Sequence, residues 1–263
     1  MKENEDMSFM DHLEELRWRL IKIVVAIMII AIVIFIFIQP IFDTVFYSMA
    51  NSNFISFRVM CNTLGLCSEK YDLDQLQNLK MSGQFSMSMT IALLGGVVIS
   101  FPFIFSQLWG FIKPGLRKSE AKAVRGMVLY VSMLFFLGIL FGYFVVSPLV
   151  IQFFGNFQIT DIAKVENRFL MSDFITTVTS TTLYSGFIVL LPVLIYVFSK
   201  LGLVTPAFLK KYRKHAIILV LLLSAIITPP DFWSQVIVSI PILLLYEVGV
   251  MLSKRIEKNQ SYI

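Results

Sequence analysis

The chain has 263 residues, of which 57% are hydrophobic and 15% charged, with a formal net charge of +5. A soluble domain carries about a quarter charged residues, so this composition excludes an ordinary water-soluble core and points to lipid as the solvent. The surplus of cations follows from orientation in a membrane and calls for no nucleic-acid partner.

Residues 1–20 form an amphipathic approach. Ser8 followed by Asp11 has the form of a helix-capping box, with Asp in place of Glu. Phe9, Leu13, Leu16 and Leu20 recur at helical spacing and give one apolar stripe, so a helix lying along the membrane interface is expected here. Glu15 and Arg19 stand four apart in the favourable order, and such a pair contributes about 0.3 kcal/mol.

Six apolar runs follow: Ile21 to Ile38, Met81 to Ile112, Gly126 to Ile159, Phe174 to Ser199, Ala216 to Pro230 and Phe232 to Tyr246. Since about 20 apolar residues cross a bilayer as a helix, the expectation is an all-α integral membrane protein with six transmembrane helices. The spans fall at about 21–41, 84–106, 124–152, 172–198, 215–229 and 232–252, in a single membrane domain of residues 1–263. The first run exceeds a signal-peptide core, lacks a small-x-small cleavage site and follows Asp11, Glu14 and Glu15, which makes it a mature helix. Six spans put both termini on one side, and that side holds 17 of the 22 Lys and Arg residues. Cations accumulate on the cytoplasmic face, so both termini are expected there.

Between the first two spans, residues 43–80 make the longest loop on the opposite side. Cys61 and Cys67 lie in it, where oxidation is possible. Gly65 between them allows a turn, and the pair is either a structural disulfide, which the outside context favours, or two unpaired thiols. A bridge over so short a loop contributes about 2 kcal/mol. Leu73, Leu76 and Leu79 in "YDLDQLQNLK" share a helical face and predict a short surface helix. At the other end of the chain, Ala216 to Thr228 gives about 20 Å of helix at 1.5 Å per residue, against a hydrocarbon core of about 30 Å. Pro229-Pro230-Asp231 then forces a turn. The tip of that hairpin is either submerged or brought near the surface by tilt.

Catalytic chemistry finds no purchase. His12 and His215 sit near membrane edges without a second ligand and read as interfacial anchors. No nucleophile–base pair, phosphate cradle, metal site or cofactor site is present in the pattern. Charges inside the spans would mark ion-coupled transport. The polar membrane positions are Asp231, which can N-cap the last helix, Gln235 one turn later, and Glu247, which can snorkel toward Lys254 or Arg255. A small-molecule or ion transporter is the alternative, but the inverted repeat common in that class is not found.

Four stretches carry a resemblance: "HLEELRWRL" (12–20), "SFPFIFSQLWGFIKPGLRKSE" (100–120), "GYFVVSPL" (142–149) and "TPPDFWSQ" with "IPILLLYEVGV" (228–250). In order and spacing they resemble the TatC family, the multi-span receptor subunit of the twin-arginine protein translocase. The resemblance implies a concave, glove-like bundle whose last two helices are short. It implies binding of twin-arginine signal peptides and export of folded proteins across the bacterial cytoplasmic (inner) membrane, driven by the protonmotive force. Small single-span subunits of the TatA/TatB type are the implied partners, in an oligomeric complex within membrane lipid. The implied signal-binding residues are Glu15, Leu16, Arg17 and Arg19 in the first motif, and Phe111, Pro114 and Glu120 in the second. Asp231 and Gln235 match the family's polar positions at the hairpin tip. One position departs from the pattern: where the family has Glu or Gln two residues before the proline matching Pro192, this chain has Leu190. Thr176, Thr177, Thr179, Ser180, Thr181 and Thr182 earlier in that helix offer substitute polarity.

Overall fold

The computed structural model describes residues 9–51, 54–64, 76–112, 126–156, 170–200, 204–227 and 232–260. Its α-helices of six or more residues, numbered in chain order, are α1 (Phe9–Ile36), α2 (Ile55–Leu64), α3 (Gly83–Ile112), α4 (Met127–Phe141), α5 (Ser147–Asn156), α6 (Met171–Ile188), α7 (Leu191–Lys200), α8 (Pro206–Lys211), α9 (Arg213–Ile227) and α10 (Phe232–Gln260). No strand occurs among the described residues; one isolated bridge joins Gln77 and Leu170. Four stretches are long and apolar enough to cross a membrane: His12–Ile36, Gly83–Phe111, Met127–Gly155 and Met171–Ser199. The protein is therefore an all-helical membrane protein.

Three local expectations change. The amphipathic approach is not a separate helix: α1 runs unbroken from Phe9 into the first apolar run, because neither Gly nor Pro interrupts its backbone ladder. Ser8 lies outside the described residues. The short helix expected around Leu73–Leu79 is absent from its described part, residues 76–80. There the Gln77 carbonyl accepts from Met171 N–H at 3.0 Å and Asn78 Oδ1 accepts from Lys80 N–H at 3.3 Å, so the polar groups serve a turn and a bridge. Thirdly, only one of the last two helices is short as expected: α9 has 15 residues, which at 1.5 Å each gives about 22 Å. The last helix is not short: α10 has 29 residues and continues past its apolar first half through Lys254 and Arg255.

The described chain divides into two compact units. One comprises residues 1–38 and 88–132. Within it α1 and α3 run antiparallel, as shown by the succession of contacts from His12–Phe111 and Arg19–Gln107 to Ala31–Gly96 and Ile34–Gly95. A Cβ at Gly96 would stand 3.0 Å from the Ile27 carbonyl oxygen and 3.2 Å from Ala31 Cβ. The missing side chain lets the two backbones approach, the usual means of helix association where lipid removes the hydrophobic driving force.

The other unit comprises residues 39–87 and 133–263. Proline shapes its long helices. A π-turn at Gly142–Val146 joins α4 to α5, because Pro148 has no N–H and its ring collides with the carbonyl four residues back. Pro192 likewise ends α6 at Ile188, and the Leu190 carbonyl accepts from Val193 and Leu194 to start α7. Gly142 meets α6 at its closest approach: a Cβ there would lie 2.7 Å from Ser185 Cβ and 2.8 Å from Thr182 Cα. Below this crossing the fully buried hydroxyls of Ser147 and Thr181 share a 2.6 Å hydrogen bond.

The crossing sets a stability test. Gly142→Ala overpacks it and is expected to lose about 1–3 kcal/mol, read as a lower thermal midpoint in detergent. Leu140→Ala, at a site 55% exposed on the same stretch, should change the midpoint little. Equal midpoints for Gly142→Ala and the parent would mean that the crossing has slack.

Candidate functional site

The charged end of the first unit is built from two helical turns. On α1, His12, Glu15 and Arg19 lie three and four residues apart and so share one face. On α3, Gln107, Gly110 and Phe111 occupy the last turn. The Arg19 guanidinium donates to Glu15 Oε1 from Nε at 2.9 Å and from Nη2 at 2.6 Å. Its remaining nitrogen, Nη1, donates to the Gln107 carbonyl at 3.1 Å and more weakly to Gln107 Oε1 at 3.5 Å. Gly110 makes this fit possible, since a Cβ there would be 2.5 Å from Nη1. The His12 ring stacks on Phe111 with centroids 4.2 Å apart and 12° between planes.

The Arg19 and Glu15 side chains are 23% and 29% exposed. Fully exposed pairs contribute about 0–1 kcal/mol. At this burial the screening is weaker, and removing one partner leaves the other in a poorer solvent than water. The arrangement presents a carboxylate, one oxygen of which is engaged, beside a flat aromatic pair. Chemically it suits a planar cation with an apolar neighbour.

The structure therefore brings together Glu15, Arg19 and Phe111. Leu16 is half-buried beside them on α1, whereas Arg17 is exposed on another face. Pro114 and Glu120 lie outside the described residues, as does Asp231. The Gln235 amide, on α10, donates to the Leu221 carbonyl of α9 at 2.7 Å. Glu247 is corrected: it pairs with Arg213 of α9 at 2.6 Å, and no bond to Lys254 or Arg255 is formed. The reason is reach, since Arg213 begins the helix packed beside Glu247 whereas Lys254 is two turns along the same helix. Cys61, on α2, is disulfide-bonded; Cys67 lies outside the described residues. Of the threonine cluster, Thr179 and Thr181 donate to carbonyls one turn back, Ile175 at 2.6 Å and Thr177 at 2.7 Å, so much of its polarity is spent within α6.

Three participants escaped the sequence reading. His12 is a stacking partner of Phe111, Gln107 supplies a carbonyl, and Gly110 supplies room. The spacing Gln107–Phe111, one helical turn, was the available signal.

The fold and its charged, aromatic helix end define the class as a multi-span helical membrane protein. The family model described as "Sec-independent protein translocase protein (TatC)" matches residues 11–241. The TatC of Blattabacterium sp. subsp. Periplaneta americana is 36% identical, covering 98% of this chain and 99% of that protein. The TatC of Halalkalibacterium halodurans is 32% identical over 94% of this chain and 89% of its own length. A crystal structure of the twin-arginine translocase receptor TatC superposes with a TM-score of 0.74 at 30% identity, covering 94% of this chain and 99% of that one. The chain belongs to the TatC family of Sec-independent protein translocase proteins. It is a protein-transport component and not an enzyme.

The Arg213–Glu247 pair is 48% and 41% exposed. A double-mutant cycle with Arg213→Gln and Glu247→Gln, followed by thermal unfolding, should give a coupling of less than about 1 kcal/mol. A larger value would show that the pair is shielded from solvent.

Proposed function

We propose that the chain is the receptor subunit that binds twin-arginine signal peptides and helps export folded proteins across the bacterial cytoplasmic membrane, drawing on the protonmotive force. The observation that supports this most directly is the half-buried Glu15 carboxylate beside the His12–Phe111 stack. Glu120, in the segment after α3, supplies the second carboxylate, and Pro114 is a further signal-binding residue of that segment. Two carboxylates take two guanidinium groups bidentately, and planar geometry makes lysine a poor substitute. At about 4 Å and an effective dielectric near 20, each pair has some 4 kcal/mol of attraction before desolvation.

In this proposal six spans form one membrane domain, concave in shape, with both termini cytoplasmic, as the 17-to-5 partition of Lys and Arg supports. Cys61 pairs with Cys67 on the outer side, where Asp231 and Gln235 line the hairpin tip. Single-span subunits of the TatA/TatB type dock in the bilayer and complete an oligomeric complex.

The recognition step is tested by titrating purified protein with a signal peptide carrying two arginines and with its two-lysine variant. Glu120→Gln should weaken binding of the arginine peptide about tenfold, the equivalent of 1.4 kcal/mol, and the lysine peptide much less. Equal losses, or none, would leave Glu120 as an ordinary surface charge. Partner docking has its own test. Leu190→Gln restores the family's polar side chain and should increase the amount of single-span subunit that co-purifies. An unchanged amount would assign no docking role to that position.

A further inference from the structure

We infer that Arg19 is an internal competitor for the Glu15 carboxylate, which an incoming signal arginine must displace and which speeds the signal's release. The inference rests on the proposed role of Glu15 as a signal-binding carboxylate. Three features of the geometry carry it. First, the Arg19 guanidinium already holds Glu15 by the same charge-assisted N–H···O contacts a signal arginine would make, although both N–H groups, at 2.9 and 2.6 Å, share the one oxygen Oε1. Secondly, the guanidinium is anchored independently of Glu15, through Nη1 on the Gln107 carbonyl and in the space left by Gly110. Displacement from the carboxylate therefore does not free Arg19, which stays within reach to return. Thirdly, among the described residues no group bonds Glu15 Oε2, so a second guanidinium has an oxygen on which to land first.

The exchange is of like for like. One guanidinium–carboxylate pair is broken as another forms, so this contact adds less net affinity for the signal than an unpaired carboxylate would, but still enough to be lost in Glu15→Gln. A receptor that hands its cargo onward benefits from that balance, because apparent affinity falls by the fraction of time in which the carboxylate is self-paired. Release is assisted as well, since a tethered competitor acts at high effective concentration. The competitor lowers affinity for arginine and lysine signals alike; discrimination between them remains with the carboxylates.

The test is a kinetic titration of the full-length protein in detergent with a fluorescent peptide bearing two adjacent arginines before an apolar segment. Arg19→Gln should lower the dissociation constant about three- to tenfold, mostly through slower release. Gly110→Ala, which retains both charged residues but fills the space beside Nη1, should act in the same direction. Arg19→Lys should fall between parent and Arg19→Gln, because an ammonium competes with fewer bonds. In a Glu15→Gln background, Arg19→Gln should have no further effect.

Weaker binding by Arg19→Gln and Gly110→Ala would overturn the inference and make Arg19 a co-holder of the signal or a structural strut. If Glu15→Gln weakens binding but Arg19→Gln does not tighten it, only the competition fails. If Glu15→Gln by itself leaves binding unchanged, the role of Glu15 fails, and the competition with it.

Discussion

A backbone amide in hydrocarbon has no water to bond, and each unmet group costs several kcal/mol. Everything else in this chain is arranged around that constraint. It makes helix the only local solution for the apolar runs, and it turns every proline into a structural event. Pro148 is answered by the π-turn at Gly142–Val146 and Pro192 by the end of α6 at Ile188. In each case the helix resumes at once, because neighbouring carbonyls accept the displaced N–H groups. The result is a set of helices with fixed points of discontinuity.

Lipid also removes the force that would press helices together in water, since tails are as apolar as leucine. Association then depends on close approach and on hydrogen bonds between side chains. Gly96 facing Ile27 and Ala31 illustrates the first in one unit, and Gly142 facing Thr182 and Ser185 in the other. Buried hydroxyl pairs illustrate the second: Ser147 with Thr181 at 2.6 Å, and Ser199 with Ser253 at 2.7 Å. The exposed large side chains, such as Ile29, Leu137 and Leu219, are what a lipid-facing surface requires.

Against this apolar background the end formed by α1 and α3 stands out, because it gathers a carboxylate, a guanidinium, an imidazole and an aromatic ring within two turns. Partial burial strengthens its polar contacts relative to water while keeping the groups reachable. Tight antiparallel packing along the rest of α1 and α3 fixes the height at which those groups meet. Packing in the apolar part and geometry at the charged end are thus one property.

Much of this was legible from sequence, and the physical reason is locality. The apolar runs announced helices because lipid admits little else, and the spacing of Glu15 and Arg19 announced their pair because it lies within one helical turn. The four motifs announced the family for the same reason, being contiguous stretches. What tertiary structure decided was contact between helices. Glu247 chose Arg213, 34 residues away, over the lysine two turns along its own helix. His12 found Phe111 across 99 positions, and Arg19 found the Gln107 carbonyl across 88. No periodicity encodes such pairings, because they depend on the depth and rotation at which two helices pack, and these are set by the glycines and prolines between them.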